Sequence, residues 1–406
     1  MFLSLFIVFT LGVLGGFLFE KIRLPKLIFY IILGILLGPS LFNVIDESLL
    51  NISSYLRQIA LVIILTRSGL SLDFKTLKQI GRSAILMCFL PACFEIAGVT
   101  IFAPIFLGIS YPEALLLGSV LAAVSPAVVV PRMIKLQKEG YSKEHHVPEL
   151  IMAGSSCDDI FVIVLFYSFK NLVSSGSFNL LSLLEIPLSI ILGILLGVAA
   201  GFLLYFLFKR ISLPYVTKII LMLGLSFGMI AVENVSKPYI SISSLLGVIV
   251  MGIILARGKK EEVVKIKDGY NNLWSAFEIL LFTLVGAITD VKYAFSKDGA
   301  IILGIIVIAL IFRSLGVLLC ILGSKFTKKE KLFIVLSYLP KATVQASIGG
   351  IALSEGLACG NLVLTAAVVS ILLTAPIGAI LMDFTYKKLL IKNDEIIEMK
   401  ENSNIL

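Results

Sequence analysis

Charge is scarce in this chain. Asp, Glu, Lys and Arg make up 15% of its 406 residues, against 58% hydrophobic residues and a mean hydropathy of +1.04. An ordinary globular chain carries about 25% charged residues, so the composition excludes a soluble globular fold. Histidine is reduced to two neighbours, His145 and His146. They read as a solvated loop pair rather than as a pH sensor. The five cysteines (Cys88, Cys93, Cys157, Cys320 and Cys359) lie in or beside apolar runs, without paired metal-ligand spacing. They read as small apolar residues, and no zinc site or disulfide framework is expected. The first segment lacks a basic start and a small-x-small cleavage site, so it reads as a membrane span rather than a secretory signal. Long linkers are missing as well, which leaves no room for a soluble domain.

What the chain has instead is apolar runs. A helix needs about 20 apolar residues to cross the hydrocarbon core. Thirteen runs qualify: 2–19, 25–42, 54–72, 83–108, 112–136, 147–169, 178–208, 214–232, 240–256, 272–289, 299–324, 330–354 and 361–386. The expected fold is an all-α polytopic membrane protein of about thirteen transmembrane helices, with a short tail from 387 to 406. The net charge of +8 comes from the positive-inside rule, not from nucleic-acid binding. Most basic residues fall in alternate loops around 21–26, 75–82, 132–143, 209–218, 257–267, 325–331 and in the tail. The other side carries Arg57, Lys170, Lys237, Lys292 and Lys297. This places the N-terminus outside and the C-terminus in the cytoplasm.

Internal symmetry comes next. Thr66-Arg67-Ser68-Gly69-Leu70-Ser71-Leu72-Asp73 matches Thr283-Leu284-Val285-Gly286-Ala287-Ile288-Thr289-Asp290 at Thr, Gly and Asp. The preceding runs match through Gly34/Gly38 and Gly247/Gly252. The partners are seven runs apart, and an odd offset reverses orientation. Two inverted five-helix repeats are expected, at about 25–170 and 240–386, an architecture of secondary transporters. In such folds the site lies where helices are broken near the midplane. The runs at 112–136 and 330–354 are symmetry partners, and both carry the break. One reads Ser125-Pro126, the other Pro340-Lys341-Ala342-Thr343-Val344-Gln345. Proline removes a donor and clashes with the preceding turn, and the freed backbone groups are tolerable only where they meet polar partners or line a cavity.

Several charges lie inside apolar runs. Glu95 and Arg313 occupy partner runs and are expected to form a core ion pair. Lys341 is expected to face the carbonyl-rich end of a half helix, and Arg67 to snorkel towards a membrane face. Asp158 and Asp159 stand side by side in Ser155-Ser156-Cys157-Asp158-Asp159-Ile160. A carboxylate near the bilayer centre costs about 2.5–3.5 kcal/mol on insertion scales. Neighbours on a helix point about 100° apart, so the two do not face each other as a protease dyad does. A lone buried carboxylate is costly to leave charged, so H⁺ and a metal cation can compete for its oxygens. Ser125, Ser155, Ser156 and freed carbonyls would add hard ligands suited to Na⁺ or Li⁺.

These stretches resemble the monovalent cation/proton antiporter superfamily, and within it the NHA-type sodium/proton exchangers. The resemblance runs from Pro25…Gly38-Pro39 to Thr374-Ala375-Pro376-Ile377-Gly378 and includes Arg67–Asp73, Ala123–Pro131, Asp158-Asp159 and Leu339–Ala346. It implies a homodimer in the plasma membrane and an elevator-like core. It implies no cofactor and no enzymatic activity. Asp159 would be the essential carboxylate for the transported ion and proton, and Asp158 its assistant. Many electrogenic relatives have a lysine where Arg313 stands. If Glu95 occupies Arg313, Asp158 is free to carry a charge. A K⁺/H⁺ antiporter and a sodium-coupled organic solute symporter are the alternatives, and an intramembrane aspartic protease is disfavoured.

Overall fold

The computed structural model describes residues 1–72, 81–142, 145–175, 180–236, 240 and 242–392. Asp73, Lys75, Lys78, Lys143, Lys237 and the tail beyond Lys392, all used in the sequence reading above, lie outside the described residues. Within them the chain is helical, and the one β contact is an isolated bridge between Tyr141 and Lys392. Eight helical stretches are long and apolar enough to cross a membrane, and two shorter apolar helices accompany them.

In chain order the helices are α1 (Phe2–Lys21), α2 (Lys26–Leu37), α3 (Glu47–Asn51), α4 (Ser53–Ser71), α5 (Arg82–Met87), α6 (Leu90–Leu107), α7 (Tyr111–Leu121) and α8 (Pro126–Lys138). Then come α9 (Val147–Ser175), α10 (Leu180–Arg210), α11 (Tyr215–Ser236), α12 (Ser244–Leu255), α13 (Lys260–Ala287), α14 (Val291–Ala294) and α15 (Lys297–Cys320). The last are α16 (Lys328–Ser337), α17 (Thr343–Ile348), α18 (Ile351–Ser354) and α19 (Gly360–Leu389). Local chemistry sets several starts. Ser110 with Glu113, and Thr327 with Glu330, form capping boxes at α7 and α16. Asp290 and Ser296 cap α14 and α15.

Several expected runs are divided. The run at 83–108 breaks at Cys88-Phe89 into α5 and α6, just before Pro91, which sits in the first turn of α6. The run at 25–42 is helical only to Leu37, because Gly38-Pro39 turns the chain. The basic stretch after Lys259 is not a loop but the first turns of α13.

Several helix pairs pack backbone to backbone. An added Cβ at Gly34 of α2 would lie 1.9 Å from the Thr283 carbonyl oxygen of α13. One at Gly69 of α4 would lie 2.3 Å from the Ile249 carbonyl oxygen of α12. Small residues permit this approach where lipid offers no hydrophobic drive. Elsewhere α6 runs along α15, with Gly98 against Phe312 and Gly316 against Pro91. That contact brings Glu95 and Arg313 together in the interior. Among the eight long spans, the α7–α8 and α19 stretches are the most buried, whereas α1 is largely open to its surroundings.

His145, in the loop pair expected to be solvated, is half-buried, while His146 is exposed. The turn at Gly140 (φ 82°) folds the α8–α9 connection onto the start of α16. There His145 Nδ1 lies 2.8 Å from Oε2 of the buried Glu330, and Ser142 Oγ donates to Glu330 Oε1 at 2.5 Å.

Candidate ion-binding site

The two broken helices meet. α7 stops at Leu121, Pro126 opens α8, and the residues between are not helical. α16 stops at Ser337, and α17 begins at Thr343 after Pro340. The breaks are joined by a backbone hydrogen bond from Ser125 N–H to the Pro340 carbonyl, 2.8 Å. Pro340 also packs over Gly378 of α19.

Several backbone groups freed by the breaks find polar side-chain partners, as burial requires. The Leu121 carbonyl ends α7 and accepts from Lys341 Nζ. The Ala122 and Tyr338 carbonyls accept from Arg313. The Ala123 carbonyl accepts from Gln345 Nε2 at 2.7 Å. Val124 N–H donates to Asp158 Oδ2 at 3.0 Å, and Lys341 N–H donates to Thr374 Oγ1 at 2.9 Å.

The same atoms close an ionic chain. Lys341 Nζ lies 2.5 Å from Glu95 Oε1. Glu95 Oε2 lies 2.9 Å from Arg313 Nη1, and Arg313 Nη2 lies 2.6 Å from Asp158 Oδ2. All four side chains are fully buried. Two formal positive charges face two negative ones, so the cluster is neutral without solvent. This modifies the reading of an Arg313 held by Glu95 alone. The planar guanidinium is a fork with five donors, and it serves both carboxylates. Asp158 is therefore not free. Lys341 meets a helix end, as its sequence position suggests, and a carboxylate as well.

Asp159 stands apart from this chain. It is 4% exposed, and its Oδ1 has no hydrogen-bond partner among the described residues. It lines a cavity of about 710 Å³, together with Thr343, Pro126, Ser156 and Met152. Asp158 Oδ1, Thr343 Oγ1, Ser125 Oγ and Gln345 Oε1 are further buried oxygens without a partner among the described residues. Ser155 is not among them, because its hydroxyl donates to the Met152 carbonyl of its own helix. Such oxygens suit a hard monovalent cation. The cavity also reaches Lys26, Arg67, Gln137, Lys267 and Glu278. Arg67 thus forms part of the cavity wall.

Two charged residues were not singled out as site residues by sequence reasoning. Glu278 is buried in α13, 3.7 Å from Lys26. Arg57, counted as a charge of the outer side, is buried within α4. The available signal was the same for both: a charge inside or at the edge of an apolar run.

Residues 5–388 match the family described as "Sodium/hydrogen exchanger, transmembrane". The chain belongs to this exchanger family. Human sodium/hydrogen exchanger 9B2 is 35% identical over 96% of this chain and 75% of its own length. Human sodium/hydrogen exchanger 9B1 is 34% identical over 98% of this chain and 80% of its own. The structure of the sodium proton antiporter MjNhaP1 from Methanocaldococcus jannaschii superimposes with a TM-score of 0.83 at 20% identity, covering 95% of this chain and 97% of that one. That last likeness concerns the fold. The exchanger is thus a multi-pass membrane protein within the monovalent cation/proton antiporter superfamily, and its buried charges stand where its helices break.

Proposed function

We propose that this chain is a secondary antiporter exchanging Na⁺ (or Li⁺) for H⁺ across the plasma membrane. The observation that carries the reading is Asp159. It stands beside the ionic cluster with no basic partner among the described residues, and it lines the large cavity with Thr343. A proton and a sodium ion compete for its oxygens, and that competition is the coupling. Thr343 and Ser125 supply further hard oxygens. Asp158, tied to Arg313 and to Val124 N–H, holds the α7–α8 break in place and does not exchange. One free carboxylate carries one H⁺ or one Na⁺, so the exchange is one for one.

The wider reading is an exchanger with thirteen spans, N-terminus outside and C-terminus inside, built from the inverted repeats at about 25–170 and 240–386. It works as a homodimer whose core domain moves like an elevator. The cavity at Asp159 reaches Lys26 and Lys267, residues of the lysine-rich side, so this conformation faces the cytoplasm. K⁺/H⁺ exchange is the second reading. The direct test is flux in proteoliposomes against Na⁺, Li⁺ and K⁺, with and without a clamped membrane potential. Na⁺ and Li⁺ are expected to drive proton movement that the potential does not change. Asp159→Asn is expected to abolish it, and sodium/proton exchange retained in that variant would sink the assignment.

A further inference from the structure

A second cavity, of about 220 Å³, lies on the other side of the broken helix α17. Its walls include Ser54, Arg57, Tyr167, Lys170, Ser347 and Glu355. Thr343 lines the first cavity and Ser347 the second. These two residues are one helical turn apart, and Ser347 Oγ donates to the Thr343 carbonyl at 2.7 Å. Four residues of helix rise about 6 Å. The barrier between the two cavities is therefore one turn thick along α17. α9 spans both sides as well, with Asp159 in one cavity and Tyr167 and Lys170 in the other.

Arg57 sits on the far side of this septum. It is 5% exposed, and Nε donates weakly to the Ser53 carbonyl of its own helix at 3.3 Å. No carboxylate pairs with it among the described residues, unlike Lys170, whose Nζ lies 2.7 Å from Glu355 Oε1. Its Nη1 rests on Gly350, where an added Cβ would lie 1.8 Å away. A buried cation without a counter-ion is costly, and a charge kept inside a membrane protein marks an ion path. The cavity's acids are otherwise engaged, Glu355 by Lys170 and Glu233 by the N–H and hydroxyl of Ser244.

We propose that Arg57 is a cation-excluding gate. Seated on the Gly350 backbone, it holds a positive charge at the outer end of the one-turn septum. In this conformation it keeps Na⁺ from slipping across without a proton returning. The inference rests on the orientation and exchange proposed above. An α4 residue suits the task, because it can face the broken helix from a neighbouring element while the Asp159 helix moves.

Two readouts test it, one of them independent of transport. In a cysteine-free background, Ser54→Cys places a thiol in the outer cavity. An anionic methanethiosulfonate reagent added from outside is expected to react on the order of tenfold faster than a cationic one, as a nearby unit charge in a partly buried site dictates. Arg57→Gln should remove that preference, and Arg57→Lys should keep it. Equal preference with and without Arg57 overturns the gate. Labelling only from the inside would instead overturn the orientation. In proteoliposomes at equal pH, a potential inside negative is expected to drive ²²Na⁺ entry beyond proton exit in Arg57→Gln but not in Arg57→Lys. Gly350→Ala, which displaces the guanidinium without altering charge, should slip as Arg57→Gln does. Tight coupling in both Arg57→Gln and Gly350→Ala refutes the proposal. Loss of Na⁺/H⁺ exchange in the parent protein would be a failure of the exchange reading, and the labelling preference would still stand or fall on its own.

Discussion

Neutralising Glu95 is the sharpest test of the buried ionic chain. Glu95→Gln removes one of two negative charges from a cluster that is fully buried and formally neutral. Lys341 then has no carboxylate partner and keeps the Leu121 carbonyl, while Arg313 keeps Asp158. Removing one partner of a buried pair costs about 3–5 kcal/mol. For 406 residues, an unfolding entropy of about 2.1 cal/mol/K per residue turns this into a melting shift of about 4–6 °C. Spans that keep their helices on unfolding have a smaller entropy, so the drop in detergent is expected to be at least that large. The pairing pattern then predicts which second change rescues. Glu95→Gln with Lys341→Gln restores neutrality and leaves Arg313–Asp158 intact. Glu95→Gln with Arg313→Gln also restores neutrality, but strands Lys341 and Asp158 without their partners. The first double variant should recover more than the second. A double-mutant cycle on purified protein, read as thermal melting, measures the coupling. Strictly additive losses, or better rescue by Arg313→Gln, would refute the assigned connectivity.

Two further outcomes follow from the geometry. If H⁺ and Na⁺ share Asp159, lowering the pH should raise the apparent KM for Na⁺ and leave the maximal rate unchanged, because each ligand weakens the other equally; a change in maximal rate alone would argue against a shared site. Gly34→Ala should destabilise the protein by about 1–3 kcal/mol, since the clash is with the Thr283 backbone and cannot be relieved by a rotamer change. Gly224→Ala, with nothing within 4 Å, is the neutral control, and equal melting of the two variants would contradict the close α2–α13 packing.

Much of the site was legible because membrane burial makes polar residues conspicuous. Asp158-Asp159, Glu95, Arg313, Lys341 and both proline breaks stand out against apolar neighbours, and the structure gathers all but Asp159 into one hydrogen-bonded cluster. What sequence could not supply is pairing. Two cations and two acids in separate runs allow several connections, and only the approach of α6 to α15 and of Lys341 to the end of α7 selects among them. Side-chain direction was equally hidden. Ser155 and Ser125 look alike as ligands, but one hydroxyl turns back onto its own helix and the other does not. His145 shows the same limit in a loop, where a turn at Gly140 carried it onto Glu330. The subdivision of runs was partly readable. Pro126 and Pro340 announced their breaks, whereas the break at Cys88-Phe89 could have been read from Pro91.

The single turn between Thr343 and Ser347 has a consequence for how far anything must travel. When two water-accessible spaces are separated by about 6 Å of helix, the membrane voltage falls mainly across that thin layer. Each charge that crosses it then takes up about 2.3 kcal/mol per 100 mV within a very short step. One turn of helix, rather than one bilayer thickness, then separates the two spaces.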